Sequence, residues 1–133
     1  MERQLDFVRP EPSALHVEGP ALLLSATACQ NFGLGLHELA TNAVKHGALS
    51  VPGGKVNVRW RVNNESEPWF QFEWVERGGP PVRASPRKGF GFVILKEVVP
   101  TALGGTAMLD MAPDGIRWSL KAPLDRVVAV DGE

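Results

Sequence analysis

The run from Ser25 to His46 contains no proline, is rich in Ala and Leu, and is bounded by a serine in front and Gly47 behind. A serine hydroxyl satisfies a first-turn amide, and a glycine just past the last periodic residue stops a helix, so this segment predicts one long helix. Gly33 and Gly35 lie inside it, and each costs about 1 kcal/mol relative to Ala without breaking the pattern. A helix of this length must bury one side, and the remainder of the chain has to supply the surface it lies on.

That surface reads as strands. Val56, Val58, Trp60 and Val62 alternate with Lys55, Asn57, Arg59 and Arg61, which is strict period two and predicts a half-buried strand. After a turn over 63–68, Trp69 to Glu76 predicts a second strand in which Phe70, Phe72, Trp74 and Glu76 share the inward face. Gly78 to Gly91 is rich in Gly and Pro and carries Arg83, Arg87 and Lys88, so it predicts a loop with a basic tip. Phe92 to Leu103 predicts a second helix, with Val93, Ile94, Val98 and Leu103 apolar, which Pro100 is expected to kink or end early. Thr106 to Met111 and Ile116 to Ala122, joined across Pro113-Asp114-Gly115, predict a closing hairpin. Upstream, Leu5/Phe7 and Leu15/Val17 predict one or two short edge strands, and the tail from Asp125 onward is expected to fray. The order implies an α+β fold, a two-layer sandwich of helices on a mainly antiparallel mixed sheet, with residues 1–133 as a single domain.

Composition narrows the function. With 44% hydrophobic and 22% charged residues, disordered and low-complexity classes are excluded. A formal net charge of −1 argues against a globally basic nucleic-acid binder, so any anion site must be assembled locally. Cys29 is the single cysteine, which excludes an intrachain disulfide and a multi-thiolate metal site and points to a reducing compartment, the cytoplasm. No apolar stretch approaches the roughly 18 residues of a spanning helix, and Glu2, Asp6 and Glu11 are incompatible with a secretory leader.

The densest polar cluster is His37-Glu38-Leu39-Ala40-Thr41-Asn42-Ala43-Val44-Lys45-His46-Gly47. At 3.6 residues per turn, Glu38, Asn42 and Lys45 fall on one stripe while Leu36, Leu39, Ala40 and Ala43 turn away. On its own such a trio is commonly a solvated helix face. A zinc-protease helix is excluded, because the second histidine of that motif would stand where this chain has Thr41.

Taken in order, residues 37–47, then Trp74-Val75-Glu76-Arg77-Gly78-Gly79-Pro80, then Gly89-Phe90-Gly91 closely resemble the N box and the two glycine boxes of HWE sensor histidine kinases. The family's namesake His, Trp and Glu correspond to His37, Trp74 and Glu76, and the resemblance extends over 17–123. It implies the Bergerat, or GHKL, ATP-binding fold, with ATP and Mg²⁺ as cofactors. It further implies that Asn42 is the Mg²⁺ ligand, Glu38 orients or deprotonates the attacking group, and Lys45 and His46 continue the stripe toward the phosphates. Glu76 would accept a hydrogen bond from the adenine amino group. Gly78 and Gly79 would let the backbone approach the base, and Lys88, Gly89, Phe90 and Gly91 would face the phosphates, with Arg83 and Arg87 on the lid. Trp74 reads more readily as core, and His37 as equally a structural histidine or a nucleotide contact.

The resemblance also implies partners: a phosphoacceptor domain that supplies the histidine, and a response regulator downstream. His16 lies in a strand-like context, unsuited to be the phosphoacceptor, so the chain is expected to be a monomeric catalytic half that does not autophosphorylate alone. Two alternatives share the fold: an anti-sigma-type serine kinase, which generally keeps an aspartate where this chain has Glu76, and a nucleotide-free protein-binding or phosphotransfer module.

Overall fold

A computed structural model describes residues 14–80, 90–113 and 115–129. Strand β1 (Leu15–Glu18) is followed by α1 (Ala26–Lys45), a 3-10 turn (Ala48–Ser50), β2 (Lys55–Asn63) and β3 (Trp69–Arg77). The second helix, α2, runs in three consecutive segments, Phe90–Val93, a π-helical Ile94–Val98 and Val99–Ala102; β4 (Thr106–Ala112), β5 (Gly115–Pro123) and the short α3 (Leu124–Val127) complete the chain. The five strands form one sheet in the order β1-β2-β3-β5-β4. β1 and β2 are parallel and every other neighbouring pair is antiparallel, so α1 is the crossover that a parallel pair requires.

Alternation decides which face is covered. Val56 and Val58 of β2, Phe70, Phe72, Trp74 and Glu76 of β3, and Trp118, Leu120 and Ala122 of β5 are all buried beneath the helices. The intervening Arg59, Arg61, Arg117 and Lys121 are exposed on the other side. α1 lays Ala28, Phe32, Leu36, Leu39, Ala40 and Ala43 into this layer. Phe32 packs on Phe70 and Phe72 with ring centroids 5.6 and 5.3 Å apart, and each such ring removed from water contributes on the order of 2–3 kcal/mol.

α1 begins and ends as its sequence predicts: Ser25 Oγ accepts the amide of Ala28 at 3.1 Å, and the helix closes at His46. Gly35 is buried on the inner side of α1, where it faces Leu95, Val99 and Trp118.

Two expectations are refined. Pro100 does not end α2, which continues to Ala102, but the α-helical register is interrupted just before it by the π turn over Ile94–Val98. The π turn places the Val99 amide on the carbonyl of Ile94, and the next partner in that register, the Leu95 carbonyl, would face Pro100, which has no N–H. The indole of Trp118 donates to Leu95 O instead, at 2.9 Å. The tail does not fray at Asp125 either. Leu124–Val127 is helical with Val127 fully buried, the Ser25 amide donates to Val127 O at 2.8 Å, and Leu24 bridges Val128. Arg126 donates to the carbonyl of Ala102 at the end of α2. The expected strand around Leu5 and Phe7 lies outside the described residues.

Candidate functional site

The C-terminal half of α1 carries the predicted stripe. Leu36, Leu39, Ala40 and Ala43 are buried; Glu38 and Asn42 are half-buried, and Lys45 is exposed. The helix thus holds a carboxylate, an amide and an ammonium in a row along one flank of the sandwich. His37 is exposed on α1, and His46 is the C-cap, its amide bonded to the carbonyl of Asn42 at 2.8 Å.

Beyond His46 the chain turns sharply, and the turn is held by Glu76. This glutamate ends the inward row of β3 with 0% exposure. Its Oε1 accepts the amide of Ala48 at 3.0 Å and its Oε2 accepts the indole N–H of Trp74 at 2.9 Å. Burial pushes its carboxyl above the usual carboxylate range, and the bonds from Ala48 and Trp74 oppose that rise only in part. An ionisable group shifted this way, beside the predicted stripe, is a recognised mark of a functional region.

Glycines make the close approaches possible. A Cβ on Gly47 would collide with Oε1 of Glu76, and one on Gly79 would stand 2.9 Å from the backbone of Ala48. Gly78 adopts φ +71, a conformation that side chains rarely tolerate, with the Gly53 carbonyl against it. At the start of α2, a Cβ on Gly91 would lie 2.6 Å from Oε2 of Glu38. The N-box helix therefore meets the segment after Glu76 at one end and the beginning of α2 in its middle.

Of the predicted residues, the structure brings Glu38 against Gly91, and joins Glu76 through Ala48 to Gly79 and to the end of the helix that carries Asn42, Lys45 and His46. Lys88, Gly89, Arg83 and Arg87 lie outside the described residues, and Phe90 is placed only as the first residue of α2. Neither carboxylate oxygen of Glu76 is exposed, and each takes one donor from the chain, which leaves acceptor capacity on both. Sequence reasoning missed Ala48, whose amide is the partner of Glu76. The available signal was a buried carboxylate two residues after a tryptophan on one strand face, facing a helix that ends in glycine. Among the described residues no group of three His, Cys, Asp or Glu side chains is placed to hold a metal ion. A shallow groove elsewhere, between the β2–β3 turn at Glu65–Trp69 and Gly104–Thr106, contains none of the predicted residues.

No family model matches the chain. It is 40% identical over 111 residues to a blue-light-activated histidine kinase of Brucella anthropi, and 36% identical over 111 residues to one of Brucella ovis. Each match covers 83% of this chain, which spans 23% of the length of either relative. Among solved structures, the histidine kinase domain of Erythrobacter litoralis EL346 superimposes with a TM-score of 0.69 at 17% identity, over 94% of this chain and 58% of that one. The mycobacterial sensor histidine kinase MprB superimposes with a TM-score of 0.59 at 22% identity, over 92% and 91% of the two chains.

The layered sheet and helices are therefore the GHKL fold of histidine kinase catalytic domains. With identity of 36–40% extending over the N box and the segment that carries Trp74 and Glu76, the chain is similar, over most of its own length, to one region of HWE-type histidine kinases. Among the described residues no helix is long and apolar enough to cross a membrane.

Proposed function

We propose that this domain binds Mg-ATP in the cleft flanked by the stripe of α1, the Gly78–Gly79 segment and the start of α2, and that it transfers the γ-phosphoryl group to a histidine on a separate phosphoacceptor domain. The observation that supports this reading is the approach of Gly91 to Glu38, which unites two motifs far apart in sequence on one side of the molecule. The residues suit such a ligand. The Asn42 amide oxygen is a hard donor, and Mg²⁺ characteristically takes few protein ligands and completes its shell with phosphate and water. Bound there, the ion would neutralise charge on the phosphates.

The remaining work falls to the chain. Glu38, one turn before Asn42, is placed to accept the proton of the attacking imidazole or to orient it. Lys45 and His46 extend positive character and donors toward the phosphates, with Lys45 acting as a point charge. The glycines at 78, 79 and 91 admit close backbone approach, and the resemblance assigns Lys88, Gly89 and Phe90 to the phosphates as well. Because phosphoryl transfer demands little covalent chemistry of the protein, positioning and charge neutralisation supply most of the rate.

Calorimetric titration with a non-hydrolysable ATP analogue, with and without Mg²⁺, tests the reading. Micromolar binding that requires Mg²⁺ and is lost in Asn42→Ala is expected. Absence of binding up to millimolar nucleotide would remove the kinase assignment from this chain.

A further inference from the structure

The face of the sheet turned away from the helices is basic where it nears Gly78. Lys55 of β2 stands directly opposite Arg77 of β3, and both are exposed. Arg117 of β5, exposed on the same face, is opposite Val75 and so is the diagonal neighbour of Arg77. Directly opposite side chains of an antiparallel pair have Cβ atoms about 4.5–5.5 Å apart, and diagonal ones about 7–8 Å, so three cations share one patch around Asn57 and Val75. Among the described residues, none of the three has a carboxylate at ion-pair distance; the ion pair present there joins His16 to Glu18. Even Asp110, opposite Arg117 in the ladder of β4 and β5, does not come that close.

Like charges directly opposite one another weaken a sheet, and a strand pair needs no such contact in order to form. An anion from outside, lying between Lys55 and Arg77, turns the repulsion into attraction. The chemistry of the patch narrows what that anion is. Two of the three cations are arginines, whose planar forks match carboxylates in pairs of hydrogen bonds. A continuous polyanion fits less well, because Glu18, Glu73 and Asp110 interrupt the same face. The formal net charge of −1 also provides no long-range field to draw one in. A protein segment carries its carboxylates at discrete positions and can set neutral residues against those three acids. In extended form it places alternate side chains about 6.6 Å apart, on the scale of the spacings within the patch.

We infer that Lys55, Arg77 and Arg117 form a docking surface for an acidic segment of a partner protein, whose carboxylates relieve the like-charge contact across β2 and β3. The patch is on the opposite face of the sheet from α1 and α2. An occupant therefore leaves open the flank of α1 that carries Glu38 and Asn42. The surface stands whether or not the domain binds nucleotide, since none of its residues belongs to the proposed nucleotide cleft.

The probe is an acetylated decapeptide of alternating Glu and Ala, titrated into the isotope-labelled chain and followed by amide chemical shifts at low salt. Saturable shifts are expected at 55–59, 75–78 and 115–117, with a dissociation constant on the order of 0.1–1 mM, the strength that a few exposed ion pairs supply. Lys55→Glu and Arg77→Glu should each weaken binding by about fivefold or more, whereas Lys96→Glu, on the exposed side of α2, should leave it unchanged. The corresponding Lys and Ala decapeptide should not bind. A second measurement needs no ligand: Lys55→Gln should raise the urea midpoint of the free chain, and the gain should close in about 0.5 M salt as the repulsion is screened.

Absence of shifts, shifts outside the patch, or binding indifferent to both charge reversals overturns the inference. A lower urea midpoint in Lys55→Gln removes its premise that Lys55 and Arg77 repel. Tighter binding of the same residues to phosphatidylglycerol vesicles or to oligothymidylate than to the peptide overturns the choice of occupant and gives the patch to a lipid surface or a nucleic acid.

Discussion

The indole N–H of Trp74 donates to Oε2 of Glu76 at 2.9 Å, two residues further along the same face of β3, where both side chains are fully buried. Neither group has water to fall back on, so each depends on the other. Replacing Trp74 by Phe removes the donor and leaves a buried carboxylate oxygen with one partner fewer, besides opening a small void. The expected cost is about 2–3 kcal/mol of unfolding free energy, read by urea titration. In a double-mutant cycle, Trp74→Phe and Glu76→Gln should couple by about 1 kcal/mol or more. Strictly additive losses would show that the bond contributes nothing beyond packing.

Burial raises the Glu76 carboxyl above its range in the unfolded chain, and this fixes the sign of a pH effect. The folded protein holds the proton more tightly than the unfolded one. The contribution of this residue is therefore fully present below the unfolded value of about 4.3 and is lost as pH rises through the folded value. The amide introduced by Glu76→Gln has no such ionisation. Stability of the parent relative to this variant should accordingly decline as pH is raised from about 4 toward neutrality, with other carboxylates cancelling in the difference. A difference that is flat, or that grows with pH, would contradict the assigned shift.

The arrangement of strands was legible in residues 55–76 because alternation is a local signal, and β2 and β3 are covered on one face only. The ends of α1 were legible for the same reason: a serine cap and a glycine stop act within one turn. What escaped was long-range. Nothing near Asp125 signals that Val127 O will receive the Ser25 amide, a bond across the whole chain. At the candidate site, the stripe of Glu38, Asn42 and Lys45 follows from helical spacing alone, whereas the partner of Glu76 is a main-chain amide, which has no signature in side-chain identity.

Pro100 and Trp118 illustrate the same limit and yield a test. The proline supplies no amide to Leu95 O, and the indole of Trp118 does so from β5. Trp118→Phe should destabilise the domain by about 2–3 kcal/mol, through the unmet carbonyl and the lost volume. In a Pro100→Ala background a backbone N–H is restored to this stretch of α2, and the same substitution should cost measurably less. Equal costs in the two backgrounds would separate the π turn from the tryptophan.

Gly35 offers a prediction of opposite sign. A Cβ there would meet Val99 at 3.6 Å and Leu95 at 3.7 Å, ordinary contact distances. Gly35→Ala should therefore recover the helix-propensity difference and stabilise the domain by about 0.5–1 kcal/mol, seen as a higher midpoint in urea. A lower midpoint would mean that the approach of α1 to α2 is tighter than these distances indicate.

Gly91 and Glu38 carry the final prediction, because they join the helix stripe to α2. A Cβ on Gly91 would stand 2.6 Å from Oε2 of Glu38, the movable end of a half-buried side chain. Gly91→Ala should consequently displace the carboxylate at little cost in stability. Glu38→Gln keeps the shape and removes the basicity. If Glu38 handles the proton of the attacking imidazole, Glu38→Gln should lower phosphoryl transfer to a phosphoacceptor domain supplied in trans by about 10²–10⁴-fold, with Mg-ATP affinity nearly unchanged. Gly91→Ala should reduce transfer in the same direction by displacing that group. Loss of binding and transfer together in Glu38→Gln would instead assign this carboxylate to holding Mg-ATP, and the proton would have to leave by another route.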